Sequence, residues 1–220
     1  MNLDPLFITF KLALVTTVIL LFIAVPISYW LAHTRSRSKF IIETLITLPM
    51  VLPPSVLGFY LLVSFGQNSS VGRFLYEHFD IYLPFSFAGL VVGSVIYSLP
   101  FMVNPIHSGL QNLSASLMEA SRTLGKSNWT TLFKVLLPNI KPSIFTGIVL
   151  TFAHTVGEFG VVLMIGGNLD STRVASIAIY DDVNKMNYAS AHQYALVLLA
   201  ISFVLLACVY LFNRKGVRYL

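Results

Sequence analysis

Five apolar segments, each long enough to cross a lipid bilayer, constrain this chain more than any other feature of its sequence. They cover residues 6–32, 40–65, 85–105, 143–165 and 191–212. About 20 apolar residues are needed to span the hydrocarbon core of a membrane as a helix. The composition agrees, since 56% of the residues are hydrophobic and only 10% are charged. The sequence therefore predicts an all-α integral membrane protein with five transmembrane helices in a single domain.

The distribution of charge predicts how these helices are oriented. Basic residues follow the first, third and fifth segments: Arg35, Arg37 and Lys39, then Arg122, Lys126, Lys134 and Lys141, then Arg214, Lys215 and Arg218. The other loops are mainly acidic. By the positive-inside rule the N-terminus is outside, the C-terminus is cytoplasmic, and residues 106–142 and 213–220 form a cytoplasmic loop and tail. Orientation thus explains the net charge of +5, and we predict no nucleic-acid partner.

The polar loop between the third and fourth segments carries signals for two short helices. Ser116 and Glu119 have the spacing of a capping box, which predicts a helix that begins near Leu117. Gly125 is expected to end that helix, because glycine adopts the left-handed conformation without a steric penalty.

The second helix of the loop is predicted to begin after a cap at Ser127 and to end at Pro138. Its apolar residues recur at helical spacing and predict one buried face. They are Trp129, Leu132, Phe133, Leu136 and Leu137.

These loop residues resemble the EAA loop of ABC importer permeases, whose pattern is E-A-A, three residues, G, nine residues, I-x-L-P. The matching positions are Glu119, Ala120, Gly125, Leu137 and Pro138. Ser121 replaces the second alanine and Val135 replaces the isoleucine. The resemblance implies a type I ABC importer permease domain over residues 6–212, with this loop as the helix that docks on a cytoplasmic ATPase. An ordinary helical hairpin is the alternative.

Prolines interrupt the second and third segments. Pro49, Pro53 and Pro54 lie in the second, and Pro100 and Pro105 in the third. Each proline frees a backbone carbonyl, and within a membrane such a group must be satisfied by protein or by a water-lined cavity. We therefore expect the second helix to face the protein interior. The alternative for any one proline is a packed kink without a role in transport.

The fourth segment contains an acidic residue, Glu158, four residues after His154. A carboxyl group within a membrane usually faces the bundle interior or a pathway. Glu158 is expected to pair with His154 or to be neutral, and its alternative role is to fix helix packing. Gly157 and Gly160 flank it and are expected to let helices approach closely.

Two further stretches extend the resemblance to nearly the whole chain. LPMVLPPSVLGFYLLVSFG in the second segment and VGEFGVVLMIGGN in the fourth resemble permease subunits of bacterial molybdate ABC importers, with tungstate and sulfate importers as alternatives. The resemblance implies a homodimer in the bacterial inner membrane. It also implies two cytoplasmic ATPases and an extracytoplasmic oxyanion-binding protein as partners.

The chain is not expected to hydrolyse ATP itself. Gly125, Lys126 and Ser127 look like the end of a phosphate-binding loop, but Ala120 stands where that motif needs a glycine. The five histidines show no metal-ligand spacing, and no cofactor or catalytic constellation is apparent. Two other classes of protein are the alternatives. A secondary transporter would need its own coupling-ion site, and an enzyme would need reactive residues.

Overall fold

The computed structural model describes residues 2–216, and every regular element in that range is a helix. The first half contains α1 (Asp4–His33), α2 (Lys39–Val51), α3 (Pro54–Phe65), α4 (Ser70–Phe79) and α5 (Phe87–Gln111). The loop after α5 contains α6 (Ala115–Thr123), α7 (Asn128–Thr131), a π-helical turn (Leu132–Leu136) and α8 (Leu137–Asn139). The remaining elements are α9 (Lys141–Gly157), α10 (Gly160–Gly166), α11 (Ala175–Asn184) and α12 (Tyr188–Gly216).

Helix α5 is the centre of the bundle. It packs against α1 on one side and α9 on another, with α2 and α10 at its two ends. Its buried residues Met102, Val103 and Ile106 join Leu20 and Ala24 of α1 in the largest apolar cluster. The buried face of the loop packs onto this cluster through Leu132 and Leu136. The loop is therefore anchored to the same core that fixes α1 and α5.

Three helices, α1, α5 and α12, are each long and apolar enough to cross a membrane. The number rises to five if each of two bent pairs is one span. In the first pair the helix axis bends by 112° between α2 and α3. In the second it bends by 79° between the segment Asn128–Asn139 and α9. The structure thus supports three to five spans.

Several predicted boundaries were wrong. The predicted span 40–65 is two helices, because Pro53 and Pro54 leave no backbone donor to continue α2. The predicted span 143–165 is broken between Gly157 and Gly160. Helix α5 continues to Gln111, so the loop begins about one and a half helical turns later than the predicted start at residue 106.

The expectation that the second segment faces the protein interior stays a prediction, because burial is seen here within one chain. Only Ile46 and Pro49 of α2, and Gly58 and Leu61 of α3, are buried. Large apolar side chains on both helices remain exposed: Leu45, Val51, Phe59, Tyr60 and Val63. In contrast, Pro100 of α5 is buried.

Two helices, α4 and α11, lie in loops where the sequence predicted no element. Helix α11 is held by Thr9 of α1, whose hydroxyl oxygen accepts the backbone N–H of Ala175 at 2.8 Å. On its other side, Asp181 pairs with Arg173 at 2.8 Å and Lys185 at 2.9 Å. The hydrogen bond from Lys185 holds the pKa of Asp181 below its ordinary value. Helix α12 extends beyond the predicted end at residue 212, and residues 217–220 of the predicted tail lie outside the described residues.

Candidate functional site

Two helix breaks lie side by side and define the first part of the candidate site. At one, Pro53 takes an extended ψ of 133° and α3 begins at Pro54. At the other, Glu158 takes a ψ of 135° and α10 begins at Gly160. A Cβ atom at Gly160 would lie 2.6 Å from the Cβ of Pro54. The absence of a side chain at Gly160 therefore allows the two breaks to meet.

Gly157 does not share this role. A Cβ atom built there would meet nothing within 4 Å. The expectation that both flanking glycines permit close helix approach is confirmed for Gly160 and wrong for Gly157, whose position is exposed in this chain.

A cavity of about 600 Å³ opens at the two breaks. Its lining brings together five of the predicted pathway residues, namely Pro54, His154, Gly157, Glu158 and Gly160, and adds Ser55, Tyr97, Ala153 and Phe159. Pro53, the remaining prediction, adjoins the cavity in sequence without lining it. None of the described lining residues is a lysine or an arginine. The cavity therefore offers hydroxyl and imidazole groups to a ligand, without a cation.

Glu158 connects three elements around this cavity. Its side chain is buried, with 4% of the residue exposed. Its Oε2 accepts a hydrogen bond from Ser94 of α5 at 2.8 Å, and its backbone oxygen accepts one from Ser176 of α11 at 2.6 Å. Its Oε1 has no hydrogen-bond partner among the described residues. Glu158 thus ties the α9–α10 break to α5 and α11.

His154 has a different partner, so the predicted pairing with Glu158 was wrong. Its Nδ1 lies 3.0 Å from the hydroxyl of Ser98, which also contacts Thr155 at 3.1 Å. Its ring stacks on Phe101 with centroids 3.9 Å apart and contacts Tyr97 at 4.8 Å. His154 and Glu158 therefore have separate partners, two serines one turn apart on α5.

The sequence reasoning missed these serines and Ser176. Ser94 and Ser98 are small and uncharged, and nothing in an apolar helix marks them individually. Their spacing of four residues was a usable signal, because it places both hydroxyls on one face of α5. His154 and Glu158 are also four residues apart. Hydrogen bonds between these two side chains and the two serines could therefore have been predicted.

The loop between α5 and α9 forms the second part of the candidate site. Helix α6 begins at Ala115 and its N-cap is Ser114, whose hydroxyl accepts the backbone N–H of Ser116 at 3.3 Å. The predicted capping box of Ser116 and Glu119 was therefore wrong by two residues. The predicted end is confirmed, since Gly125 has a φ of +70°.

In the second half of the loop the predicted cap is confirmed, and the predicted end at Pro138 was wrong. Ser127 accepts the backbone N–H of Thr130 at 3.2 Å. The helix then widens into the π-helical turn and continues through Pro138 to Asn139. Leu132 and Leu136 are buried, whereas Trp129 and Phe133 are exposed, so the buried face is narrower than predicted.

Ser121 joins the two halves of the loop. It is buried, and its Oγ lies 2.7 Å from Oγ1 of the buried Thr131. This is the position at which the chain departs from the alanine of the EAA pattern, so the departure supplies a hydrogen bond between the two helices.

Several residues of α6 and its C-cap are exposed on the surface of this chain. Glu119, Ala120, Arg122 and Leu124 are all exposed, Leu124 by 74%. Leu137 is half-buried and Pro138 exposed. The loop therefore exposes a short helix that ends at Gly125, and its second half packs into the core through Leu132 and Leu136.

Comparisons with known proteins agree along most of the chain. Residues 24–217 match the family model described as "binding-protein-dependent transport system inner membrane component". The molybdenum transport system permease protein ModB of Azotobacter vinelandii is 47% identical over 209 residues, covering 94% of this chain and 92% of that protein. The sulfate transport system permease protein CysT of Escherichia coli K12 is 34% identical over 177 residues, covering 80% of this chain and 64% of that protein.

The fold is also found among solved structures. A bacterial alginate ABC transporter, solved in complex with a periplasmic protein carrying an alginate pentasaccharide, superimposes with a TM-score of 0.77 at 16% identity. The superposition covers 97% of this chain and 78% of the matched chain. The likeness shows a shared fold.

Proposed function

This chain belongs to the family of binding-protein-dependent transport system inner membrane components, and on that premise we propose that it is the permease subunit of a molybdate ABC importer. The observation that carries the substrate is the 47% identity with a molybdenum transport permease across 94% of the chain. The match to a sulfate permease supports sulfate as the second candidate. Tungstate is close to molybdate in size and charge and belongs to the same test.

In this proposal the energy comes from a separate cytoplasmic ATPase. The exposed residues of α6 support this division. Ser121 ties this capped helix to Thr131, and the adjoining Leu132 and Leu136 pack in the core, so a displacement of α6 can be transmitted to the bundle. Glu119, Ala120 and Gly125 are the residues we assign to that contact, with Leu137 and Pro138 in its base.

We further propose five spans with the N-terminus outside and the C-terminus cytoplasmic, in the inner membrane of a bacterium. The three long helices α1, α5 and α12 would each cross once, and the interrupted segments α2–α3 and α9–α10 would supply the other two crossings. The charge pattern supports the orientation, because it places α6 on the side where ATP is available.

A second copy of the chain is the partner proposed for α2 and α3. Both helices expose large apolar side chains beside the cavity, including Phe59 at 50% and Tyr60 at 61%. A homodimer would cover this surface and enclose the cavity between two chains. The complex of the alginate transporter with its periplasmic protein supports an extracytoplasmic binding protein as the further partner.

The cavity fits passage of a dianion better than tight binding. Its hydroxyl and imidazole groups can hydrogen-bond an oxyanion, and the absence of a cation from its described lining keeps that interaction weak. Lys11 is exposed and lies over the ring of Phe87, 4.5 Å from its centroid, so it belongs to the end of the bundle near the N-terminus. Selectivity then resides in the binding protein.

The test is uptake into proteoliposomes that contain the permease and its ATPase, with the binding protein supplied outside. We expect labelled molybdate to accumulate only when ATP is enclosed, and tungstate to compete more strongly than sulfate. Accumulation without ATP would instead identify a secondary transporter. Stronger competition by sulfate than by tungstate would move the substrate to the second candidate.

A further inference from the structure

An apolar groove of about 450 Å³ lies where the loop meets α1. Its lining residues come from α1, the second half of the loop and α9: Leu21, Phe22, Val25, Pro26, Trp129, Phe133, Leu137 and Ile144. Trp129 and Phe133 stack with centroids 6.0 Å apart and stay 65% and 57% exposed. Two stacked aromatic rings are thus kept out of the core that buries their neighbours Leu132 and Leu136.

The groove continues a stripe of exposed apolar side chains along α1. Leu14, Val18 and Phe22 follow one another at intervals of four residues and are 59%, 46% and 74% exposed. Residues at this spacing lie on one face of a helix. Because α1 is a candidate span, this face is suited to contact lipid acyl chains, and the groove lies at its end.

Two lysines are close in sequence to residues that line the groove. Lys134 directly follows Phe133, and Lys141 lies one turn before Ile144 at the start of α9. Both lysines are exposed. Neither forms an ion pair with any described acidic side chain, since the ion pairs found among the side chains of residues 2–212 involve other basic groups. An apolar groove whose lining helices also carry exposed lysines without described acidic partners is complementary to an amphiphile with a negative head group.

We propose that this groove binds an anionic phospholipid, with an acyl chain against Trp129 and Phe133 and the phosphate near Lys134 and Lys141. The inference rests on the proposed orientation, which places the groove in the cytoplasmic leaflet. Clusters of basic residues at that leaflet attract anionic head groups, and aromatic rings are favoured at the interface. The bound lipid braces the base of the loop against α1.

The test uses the fluorescence of Trp129. The chain has two tryptophans, so Trp30→Phe leaves Trp129 as the only reporter. The purified full-length variant is reconstituted with brominated phosphatidylglycerol or brominated phosphatidylcholine, which quench a tryptophan that they contact. We expect quenching by both lipids, with about fivefold or greater preference for phosphatidylglycerol, since one basic residue near the surface contributes about that factor. Lys134→Gln/Lys141→Gln should bring the preference to near unity.

Arg35→Gln/Arg37→Gln is the matched control, because it removes two exposed charges from the same proposed side without touching the groove. It should leave the preference unchanged. Equal quenching by the two lipids in the native background would overturn the proposal. Absence of quenching would also overturn it, since it would mean that protein and not lipid covers the groove. An equal loss of the phosphatidylglycerol preference in the Arg35→Gln/Arg37→Gln control would overturn it as well. The assay needs neither ATP nor transport, so its failure is distinguishable from a failure of ATP-driven uptake.

Discussion

Glu158 is a buried carboxyl group at the wall of a cavity proposed to pass a dianion. An ionised carboxylate about 4 Å from a dianion would oppose it by roughly 8 kcal/mol at an effective dielectric constant near 20. A hydroxyl contact contributes about 1 kcal/mol and could not offset this. Glu158 accepts a hydrogen bond from Ser94 through Oε2 and one from Ser176 through its backbone oxygen. These bonds support the proposal that Glu158 is a positioning residue that holds the α9–α10 break in place.

This role predicts a difference between two substitutions. Glu158→Gln keeps the shape and an acceptor for Ser94, so it should retain most ATP-driven uptake. Glu158→Ala removes the acceptor and leaves a void, which should cost about 1–3 kcal/mol of stability and abolish uptake. The measurements are initial uptake rates in matched proteoliposomes and thermal unfolding midpoints. Equal inactivity of the two variants at normal stability would show that the negative charge itself is needed, and would favour a gating or proton-linked role.

At the scale of elements, the packing of α3 against α10 depends on small residues. A Cβ atom at Gly160 would meet the backbone and Cβ of the residues that begin α3, and one at Gly58 would lie 2.7 Å from the Cβ of Met164. Each helix therefore contributes one glycine to the contact, Gly58 from α3 and Gly160 from α10. Their separation fixes the width of the cavity at the breaks.

Gly160→Ala should force α10 away from α3. Overpacking of this kind costs about 1–3 kcal/mol, so we expect a lower unfolding midpoint in detergent and reduced uptake. Gly157→Ala is the matched control, because a Cβ atom there meets nothing within 4 Å. It should keep the native unfolding midpoint, which makes it the control for the loss of stability. Equal effects of the two substitutions would show that the contact between Pro54 and Gly160 does not set the geometry.

At the scale of the whole molecule, the proposed topology places the loop after α3 outside and the loop after α5 in the cytoplasm. Replacing the single cysteine, Cys208, by alanine provides a background for testing this. A cysteine at the exposed Asn68 should then react with a membrane-impermeant reagent added to intact spheroplasts, and one at the exposed Lys126 should react only after lysis. The opposite pattern would refute the orientation and remove α6 from the side of the ATPase.

Much of this architecture could be predicted from the sequence, because apolar length and loop charge are local properties. The helical class, the cap at Ser127 and the end of α6 at Gly125 were predicted on such grounds. The partners of Glu158 and His154 could not be predicted in this way, since they depend on how α9 packs against α5. The faces of α2 and α3 that are covered within one chain could not be predicted for a similar reason: a proline shows that a helix breaks, without showing which side of the broken helix is covered.

The central claim is that the helix ended by Gly125 transmits the work of an ATPase to this chain. Its most direct test compares Gly125→Val with Gly125→Asn. The φ of +70° at Gly125 is strained for a β-branched side chain and tolerated by asparagine. In proteoliposomes with equal amounts of inserted permease, we predict that Gly125→Val abolishes ATP-driven molybdate uptake and that Gly125→Asn retains it. Undiminished uptake by a well-expressed Gly125→Val protein would contradict the account.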